Sequence, residues 1–225
     1  MKAPLRAIRS LANWIADDYA DKFDDDSKEQ MNLLIGRVKR MHELINGVLQ
    51  YSRVGRIKEK VEEVDLNAVV NEVIDLIIPP EYIDIDIENM LPTIYFERTR
   101  ISQVFQNLVS NAVKYMDKPE GKIKIGSMES NAQLKFYIAD NGPGIEEKYY
   151  TKIFQILQTL NPRDEIESTR IALTLVKKIV EMYGGKIWLE STLGSGSTFY
   201  FTLSRNGNYS LLEAKNGKQI SGIID

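Results

Sequence analysis

The N-terminal part of the chain carries two series of apolar residues spaced three and four positions apart, which marks one face of a helix. The series cover residues 5–19 and 31–48 and are separated by the acidic stretch DDDS. Ser27 and Gln30 have the spacing of a capping box, which predicts that the second helix starts there. Two such helices joined by a short loop form an antiparallel hairpin whose apolar stripe faces water. A second copy of the chain is therefore expected to cover the stripe, giving a homodimer through a four-helix bundle.

After residue 56 the pattern changes to short stretches of alternating apolar and polar residues, typical of strands, separated by helical stretches. The expected helices cover about 66–78, 98–116 and 171–183, and the expected strands are YIDIDIE, KIKIGS, LKFYIAD, KIWLES and STFYFTLS. Helices layered on one face of a mixed sheet suit this order best. We therefore predict an α+β chain with a hairpin over residues 1–56, a two-layer α/β sandwich over 57–205 and a tail over 206–225.

Composition narrows the possible functions. The formal net charge of −3 shows no basic bias, so nucleic acid is not an expected partner. The chain has no cysteine, which removes disulfides, thiolate catalysis and Cys-ligated zinc and is compatible with a reducing cytoplasm. No apolar run reaches the ~18 residues of a membrane span, and the N-terminus lacks the features of a signal peptide. We expect a cytoplasmic protein without direct membrane contact, although a piece of a larger membrane-bound sensor would have the same composition.

Three stretches of the second region combine polar residues with glycines. NLVSNAVKY places Asn107, Asn111 and Lys114 about one helical turn apart, so that they share a face. DNGPGI puts Asp140 at a strand end before two glycines, where a backbone can approach a ligand closely. LGSGSTF offers a second glycine-rich turn. Each stretch is weak evidence alone, because polar helix faces are usually solvated and Gly-Pro stretches are usually turns.

Together and in this order, these stretches resemble the ATP-binding domain of sensor histidine kinases, a family shared with DNA gyrase and heat-shock chaperones. The resemblance pairs NLVSNAVKY with the asparagine box, DNGPGI with the first glycine box, KIFQIL with the phenylalanine box, STRIALTLVKKIV with the second glycine box and GSGSTF with the last. KAPLRAI and INGVLQYSRV are similar to the two helices of the dimerisation and phosphoacceptor hairpin. The resemblance implies binding of ATP with Mg²⁺, phosphoryl transfer to a histidine, and a response-regulator receiver domain as partner.

The resemblance also implies roles for single residues. Asn111 would coordinate Mg²⁺, and Lys114 would meet phosphate. Asp140 would accept a hydrogen bond from the adenine amino group, which selects adenine because guanine has a carbonyl at that edge. Phe154 would anchor the lid over ATP, and Thr198 would close the far side of the pocket. The full nucleotide-binding set that the resemblance implies is Asn107, Asn111, Lys114, Tyr115, Asp140, Gly142, Gly144, Ile145, Phe154, Arg170, Ala172, Leu173 and Thr198.

One helix position separates the branches of this superfamily. The hydrolytic members carry a glutamate general base where this chain has Asn107, and an amide cannot take a proton from water. Asn107 therefore favours phosphoryl transfer to a protein side chain and disfavours an ATPase of the gyrase or chaperone kind. The alternative that stays open is a dimeric pseudokinase scaffold, which docks a regulator without ATP chemistry.

The phosphoacceptor histidine is the first departure from the family pattern. In the family it lies just before the segment matched by KAPL, so it is expected immediately upstream of residue 1. The single histidine of this chain, His42, belongs to the second hairpin helix, and no RTPL-like segment follows it. We expect His42 at the rim of the bundle and not as the acceptor.

The second departure lies in the second glycine box, where Arg170 and Ala172 stand in place of glycines. Those glycines let backbone N–H groups at a helix N-terminus face the phosphates. Loss of two charge-assisted hydrogen bonds of ~1.5–3 kcal/mol each would weaken binding by ~10² to 10⁴-fold. Leu157 also replaces an aromatic residue expected in the phenylalanine box. The sequence therefore predicts impaired ATP binding, by engineered change or in a natural pseudokinase.

Overall fold

The N-terminal part of the protein is a hairpin of two helices. The computed structural model describes residues 2–56, 60–130, 133–155 and 167–204. The first helix, α1, spans Lys2–Asp18, and α2 spans Asp25–Arg53. The side chain of Asp24 caps α2 by accepting a 2.9 Å hydrogen bond from the backbone N–H of Ser27. The predicted start at Ser27 is therefore wrong, because the acidic stretch supplies the cap and the first turn of the helix.

The hairpin buries few apolar side chains. Leu5, Ala12 and Val38 are buried, and Val38 is only 5% exposed. Many larger apolar side chains stay in contact with water on the two helices and in the turn that follows α1. They are Ile8, Leu11, Trp14, Ile15, Tyr19, Leu33, Leu34, Met41 and Val48. A single chain therefore leaves an apolar face uncovered.

The rest of the described chain is built on a mixed sheet. The strands are β1, Val61–Asp65; β2, Ile83–Ile87; β3, Thr93–Glu97; β4, Gly121–Ser130; β5, Gln133–Asp140; β6, Ile187–Thr192; and β7, Gly196–Ser204. Within the described residues the main sheet has five strands in the order β2, β4, β5, β7, β6. β2 runs parallel to β4, and the other neighbours pair antiparallel. All five sequence-predicted strands are confirmed.

The structure contains a small second sheet that the sequence pattern does not predict. β1 and β3 pair antiparallel, from Val61 opposite Glu97 to Asp65 opposite Thr93. The sequence of β1, VEEVD, holds three acidic residues and too few apolar ones to show a strand pattern. It is a strand because its partner, more than twenty residues further along the chain, supplies the hydrogen bonds and because Val64 is fully buried.

The helices α3, Leu66–Ile77, α4, Arg98–Lys114, and α5, Glu167–Met182, form the second layer. α4 packs between α3 and α5. α3 ends where Ile78 adopts a left-handed conformation before two prolines, as the sequence predicted. The predicted α+β class, with helices on one face of a mixed sheet, is confirmed.

Aromatic rings join the two layers. Phe105 of α4 meets Phe136 and Phe201 of the sheet edge-on, with ring centroids 6.0 and 5.6 Å away. All three side chains are fully buried. This core fixes α4 against β5 and β7, and it thereby fixes the polar residues at the ends of these elements.

The end of the hairpin contacts the sandwich. Val54, just after α2, is 3% exposed and belongs to the same buried core. The ammonium group of Lys178 on α5 donates a 2.7 Å hydrogen bond to the backbone carbonyl of Tyr51 and lies over the Tyr51 ring. Burial and the nearby Arg56 lower the pKa of Lys178. In the described part of the chain, no helix is both long and apolar enough to span a bilayer.

Candidate functional site

A buried carboxylate stands at the end of β5. Alternate residues of β5, from Leu134 to Ile138, are buried under the helices, and Asp140 continues that row. Its Oδ1 atom accepts hydrogen bonds from the backbone N–H groups of Gly142 at 2.9 Å and Ser197 at 3.3 Å. Burial raises the pKa of Asp140, while these two N–H groups act in the opposite direction. A carboxylate has about four acceptor positions, so Asp140 can also accept from an N–H group of a ligand.

The turn after β5 is fixed by its own side chains. Asn141 accepts a 2.7 Å hydrogen bond from the backbone N–H of Lys122 and donates a 2.9 Å hydrogen bond to the carbonyl of Glu120. Gly144 has φ +73°, and a Cβ there would lie 2.3 Å from the backbone oxygen of Thr192. Only glycine therefore allows the turn to pass this close to β6.

Two further glycines leave space around Asp140. A Cβ at Gly142 would lie 2.9 Å from the Asp140 carboxylate and 3.6 Å from the backbone oxygen of Tyr115. A Cβ at Gly196, where φ is +117°, would lie 1.9 Å from the backbone oxygen of Asp140. The structure therefore brings Asp140, Gly142 and Tyr115 together, with Gly196 against them.

Ser197, and not Thr198, lies beside Asp140. In the antiparallel pairing of β5 with β7, Asp140 is opposite Ser197 and Ala139 is opposite Thr198. Side chains of directly opposite residues point to the same face, so Thr198 points away from the face that carries Asp140. Ser197 is 5% exposed, and its hydroxyl lies 3.0 Å from that of Ser191. The residue on the face of Asp140 is therefore Ser197, whereas the sequence pattern predicts Thr198 beside the pocket.

The polar face of α4 forms as predicted. Asn107 is half-buried, and its side-chain N–H donates to the carbonyl of Gln103 at 2.8 Å. Asn111 is 9% exposed, and its Nδ2 atom has no hydrogen-bond partner among the described residues. Lys114 is exposed and its ammonium group lies 5.1 Å from the centre of the Tyr115 ring. The unpaired amide of Asn111 marks the place on α4 where a ligand would complete the hydrogen bonding.

Ile145 and Phe154 hold the segment that follows the first glycine turn against the sheet. The backbone N–H of Ile145 donates a 2.8 Å hydrogen bond to the hydroxyl of Ser191. Phe154 ends a short 3₁₀ helix, Lys152–Phe154, and its buried ring meets Phe199 edge-on at 6.4 Å. Phe154 thus ties this segment to the sheet. Leu157, in the same predicted box, lies outside the described residues.

The start of α5 differs from the prediction. The helix begins at Glu167, four residues before the predicted Ile171, so Arg170 and Ala172 are helical residues and not part of a preceding turn. Arginine and alanine are good helix formers where glycine is a poor one, which accounts for the extension. At position 172 the backbone N–H points along the helix to the carbonyl four residues earlier. Ala172 is half-buried and Leu173 is 3% exposed, while the Arg170 side chain lies outside the described part.

Comparison with known proteins identifies the class to which this site belongs. Residues 96–207 match the family described as Histidine kinase-, DNA gyrase B-, and HSP90-like ATPase. This range contains α4, both glycine turns beside Asp140, and all of α5. The fold and the site therefore define a nucleotide-binding domain of this class.

Individual relatives narrow the class. Cyanobacterial phytochrome B of Nostoc sp. is 42% identical over 209 residues, which cover 90% of this chain and 28% of that protein. The catalytic domain of histidine kinase ThkA is 30% identical, with a TM-score of 0.55, over 66% of this chain and 98% of that one. Histidine kinase ThkA in complex with response regulator protein TrrA is 26% identical, with a TM-score of 0.61, over 91% of this chain and 60% of that one.

The chain belongs to the sensor histidine kinase family. The resemblance seen in the sequence is thereby confirmed. The chain spans only 27–29% of the length of three phytochrome relatives, so it corresponds to one part of such proteins.

Proposed function

We propose that this chain is the dimerising and ATP-binding core of a sensor histidine kinase, which transfers a phosphoryl group from ATP to a histidine and onward to a response regulator. The observation that carries the proposal is the Asp140 carboxylate, held at the end of β5 by the N–H groups of Gly142 and Ser197. This acceptor fits the amino group of adenine, whereas the carbonyl of guanine would place two acceptors against each other.

Calorimetric titration with ADP tests the role of Asp140. The unchanged chain is expected to bind one ADP. Asp140→Asn removes a charge-assisted hydrogen bond worth ~1.5–3 kcal/mol, so ADP should bind ~10 to 100-fold more weakly. Asp86→Asn, which changes an exposed carboxylate on β2, is the matched control and should bind normally. Equal affinities for ADP in the two variants would contradict the proposed adenine contact.

Asn111 is the proposed protein ligand of Mg²⁺. Its side chain is buried on α4, and among the described residues its amide nitrogen has no hydrogen-bond partner, so the amide can turn its oxygen toward a ligand. Amide oxygens suit Mg²⁺, which usually takes one or two protein oxygens together with substrate phosphates. Within the described residues no cluster of three acidic, histidine or cysteine side chains offers another metal site. When bound, Mg²⁺ would neutralise charge on the phosphate oxygens.

The position of Asn107 supports phosphoryl transfer and not hydrolysis. Its amide donates to the carbonyl of Gln103 in the same helix, and an amide has no basic site for a proton from water. We expect ATP turnover without an acceptor protein to stay at the background rate. The variant Asn107→Glu introduces a carboxylate that can act as a base, and it should raise this rate of ATP turnover.

The uncovered face of the hairpin supports a homodimer. Trp14 is 63% exposed and Leu34 is 46% exposed, and a second hairpin would bury both. Val38→Asp would dissociate such a dimer, but Val38 is already buried within one chain, so that variant also disrupts the hairpin. Leu34→Asp tests the dimer more cleanly, because Leu34 is exposed in a single chain. A two-fold interface would bury the new charge once on each chain.

Light scattering tests the dimer. At micromolar concentration the unchanged chain should have the mass of two chains, and Leu34→Asp should raise the dimer dissociation constant on the order of 10²-fold or more. Asn32→Asp adds the same charge at an exposed polar position and serves as the control. A monomeric mass for the unchanged chain would contradict the homodimer.

A response-regulator receiver domain is the proposed partner. ThkA, a relative at 26% identity over 91% of this chain, has been solved with response regulator protein TrrA. We place the protein in the cytoplasm, where such partners are found, and outside the membrane. His42 is half-buried within α2, and we propose that it is not the phosphoacceptor. Acid-labile label on His42 after incubation with ATP would overturn that assignment.

The proposed boundaries are residues 1–56 for dimerisation, 57–205 for nucleotide binding and 206–225 for the tail, and the tail lies outside the described residues.

The second candidate function is a scaffold with weak nucleotide binding. It is favoured by one observation, the extension of α5 through Arg170 and Ala172. Titration with a non-hydrolysable ATP analogue separates the two candidates, because a kinase must bind the analogue whereas a scaffold can act with weak binding or none.

A further inference from the structure

Ser191 connects the two glycine turns of the site. It lies in β6 opposite Ser197 of β7, and both side chains lie on the face that carries Asp140. The geometry points to Ser191 as a positioning residue that fixes the direction of the Ser197 hydroxyl and so sets the preference for adenine. This inference rests on the proposed nucleotide binding and deepens it.

The hydroxyl of Ser191 has three neighbours within hydrogen-bond distance. It lies 2.8 Å from the backbone N–H of Ile145 and 2.8 Å from the backbone carbonyl of Gly196. It also lies 3.0 Å from the hydroxyl of Ser197. A serine hydroxyl has one donor and two acceptor positions, so these contacts use its full capacity.

The chemistry of two neighbours fixes the direction of the third hydrogen bond. The N–H of Ile145 can only donate, and the carbonyl of Gly196 can only accept. The single proton of Ser191 therefore goes to Gly196. Ser197 must then donate its own proton to Ser191, which leaves the oxygen of Ser197 as an acceptor.

An acceptor at Ser197 adds to the acceptor at Asp140. The backbone N–H of Ser197 donates to Oδ1 of Asp140, so the two residues lie side by side. Two acceptors next to each other favour a ligand edge with an amino group, as in adenine. A carbonyl at the same place, as in hypoxanthine, would meet only acceptors.

Ser191 also holds the glycine turn that follows β5. Its hydroxyl binds the N–H of Ile145, next to Gly144, and its carbonyl accepts a 2.5 Å hydrogen bond from the hydroxyl of Tyr150. The backbone N–H of Gly194 further donates to the carbonyl of Pro143 at 2.7 Å. The two glycine turns are thus joined by a backbone hydrogen bond and by the Ser191 side chain, which contacts Ile145 in one turn and Gly196 in the other.

The test compares ADP with inosine diphosphate, which carries a carbonyl where ADP carries the amino group. The unchanged chain should prefer ADP. In Ser191→Ala the hydroxyl of Ser197 is free to rotate and can donate to a carbonyl, so the preference for ADP should fall about tenfold. Ser191→Thr keeps the hydroxyl on a strand-favouring residue and should restore the preference.

Ser204→Ala, a serine at the far end of β7, is the matched control and should keep the preference. A merely structural role for Ser191 would weaken both nucleotides equally, so an unchanged ratio in Ser191→Ala overturns the inference. If Ser191→Ala does not fold, Ser197→Ala removes the same acceptor and must lower the ratio. Absence of ADP binding by the unchanged chain would instead overturn the proposed function, and this inference with it.

Discussion

The two ends of the proposed nucleotide site are built in opposite ways. At the adenine end, a Cβ added to Gly142, Gly144 or Gly196 would lie only 1.9 to 2.9 Å from the nearest atom of the surrounding chain. Hydrogen bonds also hold the two glycine turns beside Asp140. At the proposed phosphate end, α5 begins at Glu167 and runs through Arg170 and Ala172, the positions at which the resemblance predicts glycines. We therefore expect the adenine end to keep its conformation without a ligand, and the phosphate end to lack the glycine-dependent turn that would cradle the phosphates.

Restoring the glycines should produce the largest effect. Arg170→Gly combined with Ala172→Gly is expected to shorten α5 and to tighten ATP binding by ~10²-fold or more, because backbone N–H groups again face the phosphates. Adenosine, whose contacts lie at the other end, should change little. Calorimetry measures both ligands.

Glu181→Gly, an exposed change near the end of α5, controls for the general effect of glycine in a helix. Unchanged ATP affinity in the double variant would mean that Arg170 serves as a phosphate ligand.

Replacing a glycine of the adenine end by alanine should destabilise the fold. Gly196→Ala places a Cβ against the backbone of Asp140 at a φ of +117°, and we expect a loss of about 2 kcal/mol in the free energy of unfolding. Gly194→Ala, at φ +78° with no atom within 4 Å of the added Cβ, should lose about 1 kcal/mol. Urea denaturation compares them, and equal losses would mean that the close approach at Gly196 is unimportant.

The ionised Asp140 side chain should lower the free energy of unfolding at neutral pH, although it supports ADP binding. Burial raises its folded-state pKa above the ordinary value of 3.8, so the folded state binds the proton more tightly than the unfolded chain does. Its contribution to stability therefore falls as pH rises from 3.8 through the raised pKa. Asp140→Asn should remove this decrease and melt at the same or a higher temperature at neutral pH. A clear loss of melting temperature there would contradict the assignment.

The pH dependence of ADP binding should run in the other direction. The adenine contact needs the ionised carboxylate, so ADP should bind more weakly as pH falls through the raised pKa of Asp140. Titration at several pH values, with Asp140→Asn as reference, measures the slope. The same slope in the variant would assign it to the phosphates of ADP.

Much of the architecture was predictable because each layer has its own period. The apolar series of the hairpin and the alternating rows of β5 and β7 are visible in the sequence, and the structure places them as expected. The short sheet of β1 and β3 was not predictable, since VEEVD becomes a strand only through a distant partner. The early start of α5 does not follow from the glycine-box pattern, although the helix propensity of Arg170 and Ala172 favours it.

The site was predictable where a single residue carries the chemistry. Asp140, Asn111 and the glycines can be identified from their motifs, whereas the motif LGSGSTF alone does not show that Ser197, and not Thr198, lies opposite Asp140. The alternation of Phe199, Phe201 and Leu203 would have identified Ser197 as the residue on the core face. Nothing in the sequence indicated Ser191, because its three hydrogen bonds exist only after β6 pairs with β7.

The most direct test of the two-ended site is a side-by-side calorimetric measurement of ADP and ATP on the unchanged chain with Mg²⁺. An intact adenine end with a weakened phosphate end predicts that both nucleotides bind, with dissociation constants within about threefold of each other. ATP binding at low micromolar concentration, and tenfold or more tighter than ADP, would contradict the account. It would show a working phosphate grip at the start of α5.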